Sequence, residues 1–294
     1  MARKLLLSAF LLLLFALPRP ATAQVLDHVV GAYRSVGTQW LDRLLPVAQK
    51  TFTVLATIEL AVSAILWALR RTSVDQICAS FLLKFLVLSF CYMLISFFPY
   101  WIPAISGGFE HAGQIASGST SVSPSNILEL GNTLTLRILL TAGGTGIFEH
   151  PSGNIVATLV AIAVWVCYAL IAVQVLLVLV ETSVVLSTGI LFLAFAGFRG
   201  TAPLADNFLL YAVRVGVRIF FLYALLAVGT TLVPSWNDLI FTGSVYPFNL
   251  TPFFEVLAGS LCFVFIIWRI PAVAADRLTA QAHFRLGDAL RAQV

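Results

Sequence analysis

The chain has 294 residues, of which 60% are hydrophobic and only 10% are charged, and its formal net charge is +4. A soluble domain carries charge on about a quarter of its residues. This composition, with a mean hydropathy of +0.98, therefore excludes an ordinary soluble domain and indicates an integral membrane protein. The small net charge does not indicate a nucleic-acid-binding surface, and it matters only through its distribution among the loops.

The N-terminus predicts a cleaved secretory signal peptide, residues 1–23. Arg3 and Lys4 precede about a dozen apolar residues, too few for a comfortable span. Pro18 and Pro20 end that run, and the ATA sequence that follows offers a small-x-small cleavage pattern. Cleavage would place the mature N-terminus outside the cytoplasm, and an uncleaved first helix is the alternative.

Residues 24–50 predict an amphipathic helix on the external face of the membrane. Within residues 25–47, apolar side chains recur at helical spacing and the charged residues fall largely on the other side. We expect this helix to end at Pro46, before the first full membrane span, because proline removes a helical hydrogen bond.

Residues 51–98 predict a transmembrane hairpin. Its two apolar stretches, residues 52–69 and 77–98, are joined by the short basic sequence RRTSVDQ, which the positive-inside rule places in the cytoplasm. Glu59 and Lys84 lie in the two arms at depths that differ by about three residues, or about 4.5 Å at the helical rise. We expect a structural ion pair between them, and a functional role for the pair is the alternative.

Residues 99–154 predict an external loop that contains one short helix. Gly and Ser dominate residues 106–126, which predicts irregular structure. Asn126 with Glu129 three positions later is a variant of the capping box, so we expect a helix over residues 126–142 that is too short and polar to cross easily. The nearby GGTG sequence is a turn and not a phosphate loop, because no Gly-Lys-Ser/Thr follows it.

Residues 155–270 predict the transmembrane core. Three long apolar stretches predict further spans, at residues 155–180, 208–233 and 253–270. Six full crossings would place the basic C-terminal tail, residues 271–294, outside the cytoplasm, against the positive-inside rule. A re-entrant segment at the shorter apolar stretch, residues 184–198, removes the conflict. We therefore expect five crossings, and six is the alternative.

Arg214 and Arg218 lie one helical turn apart inside an apolar stretch, and so on one helix face. Each costs about 2.5–3.5 kcal/mol near the bilayer centre, so the pair costs about 5–7 kcal/mol, which nearly cancels the roughly 4–8 kcal/mol contributed by the surrounding apolar residues. We therefore expect this face to turn away from lipid, toward Gln174 and Glu181 as protein partners or toward a subunit interface. A cargo-facing pore and snorkelling to headgroups are the alternatives.

The remaining sequence features limit the kinds of site that we expect in this chain. Four glycines in the predicted core indicate close contacts between helices: Gly189, Gly197, Gly216 and Gly229. A hinge at Gly189 is the alternative. The four cysteines form no CxxC pair and the four histidines are scattered, so we expect no disulfide framework, metal or cofactor. The sequence contains no HExxH motif, paired nucleophile and base, or carboxylate cluster, so we do not expect an enzyme.

Three stretches together resemble TrbL-type conjugal transfer proteins. The first is LDRLLPVAQKTFTVLATIELAVSAILWALRR, the second is SPSNILELG, and the third is residues 170–229. Within the third stretch the matching positions are Glu181, Gly189, Phe195, Gly197, Thr201, Tyr211, Gly216 and Gly229. Beyond Gly229 the resemblance is much weaker, because many relatives carry a long polar tail where this chain has a short one.

The resemblance implies a polytopic inner-membrane subunit of a type IV secretion system, which moves DNA or protein across the envelope. It implies other secretion subunits as partners, several copies within a larger complex, and transient contact with the cargo. The expected fold is an all-α integral membrane protein, a helical bundle of about five to six transmembrane segments with its C-terminus in the cytoplasm. A small-molecule transporter is the alternative, although the chain shows no two halves of similar pattern.

Overall fold

The computed structural model describes residues 23–69, 73–117, 123–144, 151–243 and 249–280, and every regular element in these ranges is helical. The helices are α1 Ala23–Leu69, α2 Val74–Ser96, α3 Phe98–Ser117, α4 Pro124–Gly144, α5 Pro151–Thr188, α6 Ile190–Ala194, a 3-10 turn Phe195–Gly197, α7 Ala202–Gly243 and α8 Thr251–Thr279. The expected all-α fold is confirmed. The expected signal peptide up to residue 22 and the tail after residue 280 lie outside the described residues.

Five helical stretches of the described chain are long and apolar enough to cross a membrane: Val25–Leu69, Val74–Ser96, Ser152–Gly197, Ala202–Ile240 and Thr251–Thr279. Their number agrees with the five-crossing expectation. The third stretch does not separate at Val184 as predicted, because α5 continues to Thr188 and the chain breaks at Gly189. Re-entry of the segment that follows this break stays a prediction.

Helix α1 passes through Pro46, so the prediction that a first helix ends there is wrong. Proline removes the helical hydrogen bond to the carbonyl of Asp42. Leu41, Ala48 and Phe52 are buried on the opposite side of the helix, and their packing offsets the lost bond. The segment predicted to be amphipathic and the first apolar stretch therefore form one continuous helix.

Helix α3 extends to Ser117, so the prediction of an irregular loop from residue 106 is also wrong. Phe98, Ile102, Ile105 and Phe109 recur at helical spacing along one face, and the first two are buried. This apolar stripe stabilises a helix that the adjacent glycines at positions 107 and 108 disfavour by about 1 kcal/mol each.

Helix α4 begins earlier than predicted. The hydroxyl of Ser123 accepts a hydrogen bond from the backbone N–H of Asn126 at 3.1 Å, which caps the first turn. Pro124 then takes the first helical position, where its missing N–H costs nothing. The cap is therefore Ser123 and not Asn126, although the expected helix itself is present as Pro124–Gly144.

The chain forms two compact units. The first contains Met1–Gly31, Gly113–Leu179 and Phe221–Ile270, and the second contains Ala32–Ala112, Val180–Phe220 and Pro271–Val294. In the first unit, the side chain of Tyr168 packs over Gly131, and Trp165 donates a hydrogen bond to the Asn132 side chain at 2.8 Å.

The second unit packs around a core that includes Phe52, Ile95, Phe98 and Phe208. The rings of Phe98 and Phe208 are stacked, with their centroids 6.1 Å apart. Each of the four predicted glycines has a neighbour where a Cβ would sit: the ring of Phe208 at Gly189, the carbonyl of Phe52 at Gly197, the ring of Phe109 at Gly216 and the ring of Phe263 at Gly229.

Candidate functional site

A buried ion pair joins the two arms of the α1–α2 hairpin. Lys84 Nζ lies 2.8 Å from Glu59 Oε1, and both side chains are fully buried. The pairing predicted from their similar depth is therefore present in the geometry. Because an isolated charge is very costly in an apolar interior, each of these groups depends on the other to be buried at all.

Further groups complete this cluster. Lys84 also donates a hydrogen bond to the hydroxyl of Ser63, which in turn donates to the backbone carbonyl of Glu59 at 2.7 Å. The ammonium group lies 5.8 Å from the centre of the Trp67 ring, within reach of a cation–π interaction. Ser63 was detectable in principle, because it follows Glu59 by one turn on the same face.

The second oxygen of Glu59 binds the chain just after the 3-10 turn. The backbone N–H of Arg199 donates to Glu59 Oε2 at 3.2 Å, and Arg199 Nε lies 3.8 Å from the same oxygen. Thr201 stabilises this turn by donating to the carbonyl of Phe195 at 2.8 Å. Sequence reasoning missed Arg199, because it lies 140 residues from Glu59 and no local pattern links them.

A second cluster lies on one face of α7. Arg218 Nη1 lies 2.7 Å from Glu181 Oε2, and the Tyr211 hydroxyl donates to Glu181 Oε1 at 2.6 Å. One carboxylate of α5 therefore accepts from two side chains of α7 that lie two turns apart. The arginine side chain is 26% exposed and the glutamate side chain 33% exposed, so the pair is only partly enclosed.

Arg214 contacts a different helix, α8. Its Nε donates to the hydroxyl of Thr279 at 3.1 Å and lies 3.5 Å from Asp276 Oδ1. Thr279 is buried, but Asp276 is 66% exposed, so its ion pair adds little stability. Both partners belong to the end of α8, which sequence reasoning assigned to the basic tail.

Gln174, the other expected partner of the arginines, belongs to the first unit and is partly buried there. The contacts of Arg214 and Arg218 given above all lie within the second unit. Among the residues the structure describes, no three His, Cys, Asp or Glu side chains come together in a way that could hold a metal ion.

Comparison with known proteins identifies the family of this chain. The profile of the TrbL/VirB6 plasmid conjugal transfer protein family matches residues 56–270. The chain belongs to the TrbL/VirB6 family. This match confirms the resemblance seen in the sequence, and it contains both carboxylates and their basic partners. Asp276 and Thr279, which contact Arg214, lie beyond it.

Two TrbL proteins are similar over most of this chain. The probable conjugal transfer protein TrbL of Sinorhizobium fredii is 28% identical over 207 residues, which are 70% of this chain and 51% of that protein. The conjugal transfer protein TrbL of Rhizobium radiobacter is 26% identical over 224 residues, which are 73% of this chain and 54% of that protein. The chain therefore spans about half the length of these TrbL/VirB6 relatives.

Proposed function

We propose that this chain is an inner-membrane structural subunit of a type IV secretion machine that moves DNA or protein across the envelope. The observation that carries the proposal is the TrbL/VirB6 family match over residues 56–270. The names of the two relatives, both conjugal transfer proteins, favour conjugation as the process. Five apolar helical stretches support a multi-pass membrane position.

The two charged clusters support a structural role in place of a catalytic one. The carboxylates of Glu59 and Glu181 are both engaged by donors from other segments of the chain. A carboxylate held between two cationic or hydroxyl donors fixes the relative position of the helices that carry them. We therefore assign these clusters to holding the second unit together while the machine assembles and works.

The exposed part of the Arg218–Glu181 pair suggests where a neighbouring subunit binds. A charged pair that faces lipid is costly, and about a quarter of the arginine side chain is uncovered in the single chain. We propose that this face is covered in the assembled complex by a second copy or by another secretion subunit. A cargo-facing position and a lipid-phosphate contact remain the alternatives.

The experiment compares Arg218→Leu and Arg218→Lys in a strain that depends on this chain for transfer. A structural role predicts that Arg218→Leu lowers the yield of the crosslinked secretion complex several-fold, because Glu181 keeps its charge without its cation. Truncating one partner of a buried charge pair costs about 2–5 kcal/mol, and the partial exposure of both side chains makes the cost smaller here. Arg218→Lys should be milder but not silent, since lysine lacks the planar guanidinium fork.

Complex yield and transfer efficiency are measured together at matched protein level. Arg269→Leu, at an exposed position of α8, is the matched control and should leave both unchanged. Normal assembly with lost transfer in Arg218→Leu would favour the cargo-facing position, and normal values of both would reject both roles. Full transport by the purified chain alone in liposomes would contradict the subunit proposal itself.

A further inference from the structure

The second unit contains a cavity of about 340 Å³. Four helices bound this cavity. Helix α2 contributes Phe90 and Leu94, α3 contributes four residues between 101 and 106, and α5 contributes Leu186. Helix α7 contributes the other lining residues, including Ala212 and Gly216. Its size falls within the range of small-molecule binding sites, about 300–1,000 Å³.

The lining presents almost no polar surface. Its polar side chains, Trp101 and Ser106, already have partners: the indole N–H donates to the carbonyl of Leu94 at 2.8 Å and the hydroxyl donates to the carbonyl of Pro103 at 3.2 Å. An apolar cavity of this kind does not hold water, because water needs about two to four polar partners. The occupant must therefore be apolar.

The cavity opens toward the surroundings of the protein. Phe90 and Ile105 belong to its lining and are 47% and 43% exposed, which places them at its mouth. Ala212 and Gly216 lie on the face of α7 opposite to Tyr211, Arg214 and Arg218, given 3.6 residues per turn. The charged cluster therefore points away from the cavity, and the lining stays almost entirely apolar.

We propose that this cavity binds one hydrocarbon chain of a membrane lipid. A cavity of about 150 Å³ already holds a benzene molecule, so a flexible chain of several methylene groups fits. The bilayer supplies such chains directly at an apolar entrance.

The affinity of a lipid chain for this cavity comes from packing contacts and not from the transfer of apolar surface out of water. A lipid tail is as apolar in the bilayer as in the cavity, so its transfer contributes no hydrophobic free energy. Filling the void instead restores the dispersion contacts that an empty cavity lacks. The bound chain should therefore exchange with bulk lipid, and this inference does not depend on the proposed role in secretion.

The test uses the full chain in vesicles of phosphatidylcholine that include a phosphatidylcholine with a photoactivatable group at the end of one acyl chain. After illumination, mass spectrometry maps the crosslinked residues. We expect crosslinks on the cavity face of α7, and we expect Ala212→Phe, which fills the space, to reduce them several-fold. Val228→Phe adds the same ring at an exposed position of α7 and should leave them unchanged.

A second variant keeps the test informative if Ala212→Phe does not fold. Leu186→Ala enlarges the cavity from α5 and should raise the crosslinking of the same α7 residues. Crosslinks that are confined to exposed residues, or crosslinks at the lining that neither Ala212→Phe nor Leu186→Ala alters, would overturn the proposal. Crosslinks at the lining that fall and rise with cavity size would establish it.

Discussion

Glu59 is the side chain on which most of the hairpin cluster converges. One of its oxygens accepts from Lys84 and the other from the backbone of Arg199, so a single carboxylate connects α1 to α2 and to the turn before α7. Because the carboxylate is fully buried, the loss of any donor leaves charge in a medium that solvates it poorly.

Replacing Lys84 with methionine should destabilise the protein strongly. Methionine keeps the length of the side chain but leaves the Glu59 charge without its closest cation, and breaking a buried ion pair in this way costs about 3–5 kcal/mol. The measurement is the free energy of unfolding, or the thermal midpoint, of the purified protein in one lipid or detergent. Lys50→Met, at an exposed position of α1, is the control.

The double variant Glu59→Gln/Lys84→Met separates charge from packing. It should recover a large part of the stability lost in Lys84→Met, because no uncompensated charge remains in the interior. If Lys84→Met proved as stable as the Lys50→Met control, the ion pair would not contribute to the fold.

At the scale of elements, α7 carries two faces with different chemistry. One face bears Tyr211, Arg214 and Arg218, and the other bears the apolar residues that line the cavity. This division explains how an apolar span tolerates two arginines: their partners come from α5 and α8, and the opposite face of the helix is apolar.

The broken segment after α5 packs closely against α1. Gly197 sits against the backbone of α1, where an added Cβ would lie 2.8 Å from the carbonyl oxygen of Phe52 and 3.2 Å from the N atom of Ala56. Backbone atoms of a helix cannot turn aside as a side chain can, so this contact depends on glycine.

Gly197→Ala should therefore destabilise the protein by about 1–3 kcal/mol, the usual cost of overpacking. Its matched control is Gly31→Ala within α1, where no atom beyond the adjoining backbone of the helix lies within 4 Å of the added methyl group. The control should be neutral or stabilising by up to about 1 kcal/mol, since alanine favours helix more than glycine does. Thermal unfolding of both variants in the same detergent compares them, and equal midpoints would contradict the close contact.

At the scale of the whole molecule, each compact unit is built from three stretches that are distant in sequence. The order of the spans across the membrane follows from the Lys and Arg distribution and stays a prediction. It places the mature N-terminus and the segment of residues 99–154 in the periplasm, with the RRTSVDQ connection and the C-terminus in the cytoplasm.

Single-cysteine labelling tests this orientation. In a variant without the four native cysteines, an impermeant maleimide added to intact spheroplasts should label Ser119→Cys. Thr72→Cys and a cysteine added after Val294 should react only after the membrane is permeabilised. Labelling of the C-terminal cysteine in intact spheroplasts would replace the five-crossing arrangement with six crossings.

Patterns within the sequence are enough to predict the class of the protein, the number of long apolar helices and the pairing of Glu59 with Lys84. Hydropathy and helical period are properties of neighbouring residues, and the short hairpin connection sets the relative depth of its two arms. Composition likewise identified Arg214 and Arg218 as charges that require partners, and their spacing placed them on one face.

Packing between helices determines which groups those partners are and where several helices end. Arg199 meets Glu59, and Asp276 and Thr279 meet Arg214, through lateral packing of helices that no local pattern records. Helix α1 passes Pro46, and α3 passes its glycines, because buried contacts on one side of each helix outweigh the local preference to stop. A helix is disfavoured by about 3 kcal/mol at a proline and by about 1 kcal/mol at a glycine. Burial of each large apolar side chain contributes about 1.5–3 kcal/mol, and each of these two helices buries at least two of them.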